Sequence, residues 1–372
     1  MQFTIPQDTF FKALARVQGI VEKRNTIPIL SNVLIEADNN TISLVATDLE
    51  VGMKATYPAT VTKPGKITVS AKKLFEIIKE LPAAEVDFKA KDNSWIEIRC
   101  GKALFNIVGL SPEEFPYFPD SEELSFLPLD GDNLKNMIDK TSFAISTDET
   151  KYNLNGIFFK YADEDETPLL RLVATDGHRL ALIQEKVDRA DFPQLAKGVI
   201  LPRKGVLELK KLIDESDEPL NIGFLENNAV IKKDQTVVVM RLVDGEFPDY
   251  NRVIPQTRDQ VAILDRDGFL HALKRMSILS SERSRGIKLT FKDGTLEISS
   301  SNPDLGEARE EMEIDYQGPE VAIGFNSRYL IDIMQAVHEE KIAITFKDNL
   351  SPSLIEIPQQ DEFMAVVMPM RL

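Results

Sequence analysis

The residues best suited to catalysis or metal binding form one short run, Asp176-Gly177-His178-Arg179. An aspartate two positions before a histidine can bind a metal ion or act in general acid–base catalysis. A metal site normally needs three or four ligands, however, and the chain has only three histidines. The Asp-Gly pair is also typical of a tight turn between two strands. We therefore favour a turn at this position, and an enzyme that uses Asp176 and His178 is the alternative.

No common catalytic or base-reading motif accompanies this run. The sequence has no GxxxxGKS/T, GxGxxG, HExxH or GxSxG, so ATP hydrolysis, dinucleotide redox chemistry and metallohydrolysis lack their usual motifs. It also has no zinc-finger spacing, basic-zipper heptads or RNP-type aromatic motif. If the chain contacts DNA, we expect it to do so through phosphates and without sequence preference.

Bulk composition limits the class of protein. A length of 372 residues predicts two to four domains, and no apolar run of about 18 residues that could span a membrane is present. The amino terminus has no signal-peptide pattern, and the single cysteine, Cys100, cannot form an intrachain disulfide, which favours the cytoplasm. A net charge of −16 is unusual for a simple nucleic-acid binder.

Internal repetition is the most informative pattern. Three stretches, starting at Phe3, Phe126 and Ala262, each place an acidic residue between a short strand and an amphipathic helix. A shared VATD places Asp48 and Asp176 128 positions apart, in two hairpin-like stretches. A second helix follows in each repeat. This order predicts an α+β fold of three tandem domains, each with two helices and two small antiparallel sheets. The predicted domains are residues 1–120, 124–248 and 256–372.

Helix starts are predicted from capping residues. Asp267 precedes the helical pattern of the third repeat, and Ser70 and Ser327 precede second helices. Three tandem domains suggest an arc or a ring, although a tandem array without a ring and without DNA is also open.

Charge is divided unevenly along the chain. The six predicted helices carry a net charge of +8 within the total of −16, so the remainder carries −24. Basic helices backed by acidic sheets would attract phosphate on one face only. The alternative is that lysine and arginine are good helix formers and collect in helices for that reason.

The carboxy terminus, AVVMPMRL, is apolar where chain ends are usually polar. A last strand explains Val366 and Val367 but not the methionines that follow. Because methionine suits adaptable apolar binding surfaces, Met368 and Met370 indicate a peptide-docking groove.

These motifs together resemble the β subunit of bacterial DNA polymerase III, the β sliding clamp family. The resemblance covers Met1 to Leu372 and is carried by FTIPQDTFFKALARV, TIPILSNVLIE, TDLE, VATDGHRLA, LPRKGV, LVDGEFPDYNRVIP, GFNSRYLIDIMQA and VVMPMRL. It implies a non-catalytic, cofactor-free homodimer whose six domains close a ring around duplex DNA, with helices lining the hole. The implied partners are the DNA polymerase III α subunit, the clamp loader with its δ subunit, and other clamp-binding replication and repair proteins, with no membrane.

The resemblance also implies site residues. Those of a peptide-binding pocket are Leu154, Thr175, Gly177, His178, Arg179, Leu180, Pro248, Val253, Val366, Met368, Pro369, Met370, Arg371 and Leu372. Those of a DNA-binding surface are Arg24, Lys72, Lys151, Tyr152, Arg203, Lys204 and Arg252. The implied dimer contact pairs Phe105 and Ile107 with Ile278 and Leu279. Pro352 at the pocket rim, and Asp148 and Glu149 in an acidic loop, depart from the family pattern.

Overall fold

The computed structural model describes residues 1–21, 27–119, 124–164, 167–187, 193–215, 218–257, 259–281 and 285–371. These ranges contain seven α-helices: α1 Gln7–Val17, α2 Ala71–Glu80, α3 Gly131–Ser142, α4 Pro193–Lys197, α5 Arg203–Ile213, α6 Arg266–Ser277 and α7 Ser327–Ala336. The same ranges contain the strands β1 Gln2–Pro6, β2 Asn32–Asp38, β3 Thr41–Thr47, β4 Val51–Pro58, β5 Thr60–Lys63, β6 Gly65–Ser70, β7 Glu85–Ala90, β8 Trp95–Cys100, β9 Ala103–Val108, β10 Leu127–Leu129, β11 Gly156–Glu164, β12 Thr167–Thr175, β13 Arg179–Lys186, β14 Val199–Pro202, β15 Leu220–Leu225, β16 Asn228–Lys233, β17 Thr236–Arg241, β18 Gln260–Asp265, β19 Gly286–Lys292, β20 Thr295–Asn302, β21 Gly306–Glu313, β22 Val321–Asn326, β23 Lys341–Phe346, β24 Ser353–Glu356 and β25 Phe363–Val367.

The chain divides into two compact units. The first unit comprises Met1–Gly131 and Leu207–Leu242, and the second comprises Asp132–Val206 and Val243–Leu372. The helices are amphipathic: in α1, for example, Phe10, Leu14 and Val17 are buried while the opposite face is polar.

The first unit contains two antiparallel sheets. Their strand orders are β5-β1-β7-β8-β9 and β10-β15-β16-β17-β4-β3-β2-β6. Its core includes an aromatic cluster in which Phe3 stacks on Phe88 at 4.8 Å and meets Phe10 edge-on at 5.9 Å. Such ring pairs stabilise a core beyond the apolar area that they bury.

The second unit has the corresponding arrangement. Its sheets have the orders β14-β11-β12-β13-β25-β24-β23-β18 and β21-β20-β19-β22. Helices α6 and α7 pack against each other, and Phe291, Tyr316 and Phe346 form an aromatic cluster in its core.

Two of the antiparallel sheets are larger than the sequence analysis predicted, because each joins strands from two of the predicted domains. In the first unit β4 pairs with β17, with Gly52 opposite Val239. In the second unit β13 pairs with β25, with Leu180 opposite Val366. Because these strand pairs join the smaller sheets, each unit contains one eight-stranded sheet.

The capping residues were predicted with mixed success. Ser70 caps α2 as expected, by accepting the backbone N–H of Lys73 at 3.4 Å. The predictions of Ser327 and Asp267 as caps were wrong. Asn326 caps α7, and Asp265 caps α6 by accepting the N–H of Gly268 at 2.6 Å. Each error is one or two residues, because a neighbouring polar side chain satisfies the same requirement.

Candidate peptide, nucleic-acid and dimer sites

The run from Thr175 to Arg179 is a turn, as predicted, and connects β12 to β13. The Asp176 carboxylate accepts the backbone N–H groups of His178 at 2.9 Å and Arg179 at 3.0 Å. Gly177 has a φ of +91°, a conformation that L side chains rarely adopt. Because the Asp176 carboxylate accepts two backbone N–H groups of the turn, it stabilises the shape of the turn. No group of three or more His, Cys, Asp or Glu side chains able to hold a metal ion occurs among the described residues.

The segment after the carboxy-terminal strand meets this turn. Beyond β25 the backbone N–H of Met368 donates to the carbonyl of His178 at 2.9 Å, and that of Met370 donates to the carbonyl of Gly324 at 2.8 Å. Met368 is 37 % exposed although Val366 is buried. The tail is therefore held by its backbone while Met368 stays accessible and Met370 is half-buried. Leu372 lies outside the described residues.

An apolar cluster lies below this junction. Its buried members are Val173, Leu180, Leu182, Tyr250, Leu354 and Val366, with Phe158, Phe247, Ile254 and Met364 packed against them. Phe158 and Phe247 stack at 4.8 Å with an interplanar angle of 3°. Sequence reasoning identified Leu180 and Val366 but missed most of the others. Strand alternation could have pointed to Leu182, two positions after Leu180.

The remaining predicted pocket residues differ in exposure. Leu154 is buried at the end of the 3-10 helix Tyr152–Leu154. Pro248 is exposed, Pro369 is half-buried, and Arg371 is exposed. Val253, 39 % exposed, follows the 3-10 helix Tyr250–Arg252.

A polar cavity of about 560 Å³ in the second unit contains two predicted DNA-binding residues, Lys151 and Arg203. Arg328 also lines this cavity and was missed, although it lies on α7 within a quoted motif. The Lys151 ammonium donates to the carbonyl of Asp176 at 3.1 Å. Hydrogen bonds from the hydroxyl and N–H of Thr150 hold the pKa of the Asp148 carboxyl below its usual value. The cavity thus combines cations that can meet phosphate with acidic groups that limit its net charge.

The other predicted DNA-binding residues are distributed over both units. Lys72 is exposed on α2 of the first unit, where its ammonium lies 3.9 Å from Glu76. Tyr152 is 60 % exposed, and Arg252 is paired with Asp249 at 3.0 Å. Lys204 is half-buried at the start of α5. Arg24 lies outside the described residues.

The predicted dimer residues lie at sheet edges and at a helix end. Phe105 and Ile107 belong to β9, one of the two edge strands of the five-stranded sheet. Ile278, 74 % exposed, and the half-buried Leu279 follow α6. In the second unit β21 is one of the two edge strands of the four-stranded sheet. Edge strands of this kind offer unpaired backbone groups to another strand.

Three family models match the chain in succession. The N-terminal domain of the DNA polymerase III beta subunit matches residues 1–119, the central domain 128–249 and the C-terminal domain 251–371. The chain is 37% identical to the beta sliding clamp of Caulobacter vibrioides and 35% identical to that of Escherichia coli, with 100% of both chains covered in each comparison.

Solved structures show the same likeness. The crystal structure of the Caulobacter crescentus beta sliding clamp matches with a TM-score of 0.95 at 37% identity. A DnaN sliding clamp from Bartonella birtlesii bound to griselimycin matches with a TM-score of 0.94 at 40% identity. Both matches cover 100% of this chain and 100% of the other.

The fold and the three domain matches define a DNA clamp built from tandem α+β domains. The chain belongs to the DNA polymerase III beta subunit family. It functions as a sliding clamp, a non-catalytic processivity subunit in DNA replication, and its partners are DNA and DNA polymerase III. None of the described helices is long and apolar enough to cross a membrane.

Proposed function

We propose that two copies of this chain close into a ring that encircles duplex DNA and slides on it. The three domains are residues 1–120, 124–248 and 256–372. Topological enclosure replaces tight binding, so a chain with a net charge of −16 can stay on DNA through a few phosphate contacts. The loader with its δ subunit opens the ring, and the cytoplasm is the compartment where this replication takes place.

Two of the sheet edges in the described part of the chain support the dimer. Strand β9 presents one free edge and β21 presents another, and neither carries the proline that would block pairing. In a head-to-tail dimer, β9 of one copy pairs with β21 of the next. The apolar side chains of Phe105, Ile107, Ile278 and Leu279 are then buried at the contact.

The DNA-binding surface in this proposal consists of Arg24, Lys72, Lys151, Tyr152, Arg203, Lys204 and Arg252. The cavity that contains Lys151 and Arg203 supports it, because cationic side chains converge there on accessible space. Contacts through phosphates alone permit sliding, since every position along the duplex offers the same charge.

Loading onto circular DNA tests the ring directly. The chain is loaded with the loader and ATP onto a nicked circle, isolated by gel filtration, and the circle is then cut once. A ring is retained on the circle and lost after linearisation, whereas a protein held by affinity stays on both forms. Retention after cutting, or no retention on the circle, would overturn the proposal.

We infer further that the polymerase α subunit, the loader δ subunit and other clamp-binding proteins share one peptide-binding pocket. It comprises the turn Thr175–Leu180, Leu154, Pro248, Val253, Val366 and the tail Met368–Leu372. The main support for this pocket is the hydrogen bond between Met368 and His178, which joins the tail to the turn next to an apolar cluster. Such apolar sites with a few polar groups capture short peptides through buried anchors.

Deletion of Met368–Leu372 tests the pocket. A labelled peptide with a glutamine and a paired Leu-Phe is titrated with the full chain and with the deletion, and fluorescence polarisation reports binding. We expect loss of peptide binding with the dimer intact in gel filtration. Undiminished binding by a dimeric deletion variant would exclude the pocket.

A further inference from the structure

The Arg179 side chain is enclosed by three separate segments of the second unit. Its Nε donates to Oδ2 of Asp176 at 3.0 Å, and its Nη1 donates to Oδ2 of Asp332 at 2.7 Å. Its Nη2 donates to the carbonyl of Phe143 at 2.6 Å. Only 10% of the side chain is exposed. The guanidinium therefore ties the turn at Asp176 to α7 and to the residue that follows α3.

Two aromatic rings complete this enclosure. The guanidinium carbon lies 4.6 Å from the ring centre of Tyr329 and 5.4 Å from that of Phe143. The Tyr329 ring is also nearly parallel to the His178 ring, at 6.4 Å. A cation held on aromatic faces and paired with carboxylates loses several interactions if it moves toward another ligand.

We propose that Arg179 is a positioning residue, which holds the peptide-binding turn in place without contacting the peptide, and that Asp332 on α7 acts with it. This inference rests on the proposed peptide pocket. It differs from the role that the family resemblance implied for Arg179, and it adds Asp332, which no sequence motif had suggested for peptide binding.

A continuous series of hydrogen bonds connects α7 to the tail. Asp332 holds the guanidinium, and the guanidinium holds one oxygen of Asp176. The other oxygen of Asp176 accepts the N–H of His178, whose carbonyl accepts the N–H of Met368. If the guanidinium is lost, the Asp176 carboxylate loses a charged partner, and the His178 carbonyl loses its fixed direction. The tail is then held less firmly.

Direct contact between Arg179 and the peptide is the competing role. Three of its five N–H groups already donate to protein acceptors, and its Asp332 partner has a side chain only 11% exposed. Contact with a peptide carboxylate would leave the largely buried Asp332 without its closest cation. Only Arg328, whose side chain is 60% exposed, would still pair with Asp332. A largely buried carboxylate is costly to leave with an exposed cation as its remaining partner, which favours the positioning role.

A double-mutant cycle separates these roles. Arg179→Met, Asp332→Leu and the double variant are titrated with the labelled peptide, and thermal unfolding of each is measured in parallel. We expect each single variant to bind about tenfold more weakly, and the double variant to bind no more weakly than Arg179→Met. Independent, additive losses, or a loss for Arg179→Met with binding unchanged in Asp332→Leu, would overturn the proposal.

Arg328→Met is the matched control. Arg328 also pairs with Asp332, at 2.8 Å, but its side chain is 60% exposed and it belongs to the outer side of this ion-pair network. We expect its peptide affinity to stay within about twofold of the parent chain, because Arg179 still pairs with Asp332 and the arginine that is removed is largely exposed. If a variant fails to fold, the milder pair Arg179→Lys and Asp332→Asn completes the same cycle.

Hydrogen exchange at the Met368 amide provides a readout that needs no peptide. We expect this amide to exchange faster in Arg179→Met and Asp332→Leu than in the parent chain, with exchange in the core strand β16 unchanged. Equal Met368 exchange in all variants would overturn the proposal. If the parent chain binds no peptide, the proposed pocket fails, whereas the exchange measurement still decides whether Arg179 and Asp332 hold the tail.

Discussion

The backbone N–H of Met368 donates to the carbonyl of His178 at 2.9 Å, so the last described segment of the chain is attached to a turn 190 positions earlier. The bond extends the ladder between β13 and β25 by one residue. It leaves the methionine side chain free to meet a ligand while its backbone is held. Peptide binding is therefore expected to depend on a backbone donor as well as on side chains.

Substitution of Met368 by proline removes this donor. Since one hydrogen bond contributes about 0.5–1.5 kcal/mol, we expect the peptide to bind roughly twofold to tenfold more weakly. Met368→Leu retains the donor and a similar volume and serves as the control in fluorescence polarisation. Equal affinity of the proline and leucine variants would show that the bond does not support the pocket.

The exposed residues after α6 predict the strength of the dimer. Ile278→Ala with Leu279→Ala removes apolar surface at the proposed contact, and burial of one such side chain contributes about 1.5–3 kcal/mol. We expect the dissociation constant to rise at least about tenfold in analytical ultracentrifugation. Leu350→Ala, at a 63% exposed leucine in the loop before β24, should leave the dimer unchanged. An unaltered dimer at nanomolar concentration in the double variant would exclude this contact.

The start of α5 predicts the salt dependence of DNA binding. Arg203→Glu with Lys204→Glu should weaken retention on DNA and, by removing two phosphate contacts, flatten the slope of log K against log salt by about two. Lys341→Glu with Lys347→Glu serves as the control, because it makes the same charge change at two exposed lysines, one at the start of β23 and one directly after its end. Sequence-selective binding, or the same loss in both double variants, would contradict contact through phosphates at α5.

A buried ion pair predicts the response of stability to pH. The Lys140 ammonium, 8% exposed, lies 2.8 Å from Glu339. Burial raises the pKa of the Glu339 carboxyl, but the hydrogen bonds from Lys140 and from backbone amides outweigh it and bring the pKa below its usual value. A carboxyl whose pKa is lowered in the folded state stabilises the protein at pH values above its unfolded-state pKa of about 4.3. This contribution is lost as the pH falls from there through the lower folded-state pKa.

Glu339→Gln should therefore lower the free energy of unfolding at pH 7 by about 1–3 kcal/mol, because it leaves a buried ammonium without its charged partner. The difference from the parent chain should shrink in urea denaturation at acidic pH. A difference that stays constant with pH would mean that the charge of Glu339 does not contribute.

Gly52 in the first unit occupies the position that Leu180 occupies in the second, and we expect a leucine at position 52 to clash with a neighbouring side chain. Gly52 lies opposite Thr47 and Val239, just as Leu180 lies opposite Thr175 and Val366. A Cβ added at Gly52 would lie 3.1 Å from the Phe118 ring. Gly52→Leu should thus destabilise the chain by about 1–3 kcal/mol, as overpacking usually does.

The Phe118→Ala substitution makes room for that side chain. The double variant should be less destabilised than the two single changes added together, which thermal and chemical denaturation can measure. Simple additivity would show that Phe118 is not the obstacle.

Much of this protein could be predicted from local patterns. The three repeats, the amphipathic helices and the Asp-Gly turn at Asp176 depend on spacing and on turn chemistry, which neighbouring residues largely determine. The absence of common catalytic motifs likewise predicted a protein without a conventional catalytic site. The whole-chain resemblance supplied the family, which the comparisons confirmed.

The partners of individual side chains depended on tertiary structure. No sequence pattern pairs Gly52 with Val239 or Arg179 with Asp332, because strand register and long-range ion pairs follow from how separate segments pack. The same applies to Tyr250 and Leu354, which join the cluster of Leu180 from distant parts of the chain. Local sequence therefore determined which elements form, whereas the long-range packing of those elements decided which residues meet to build the candidate site.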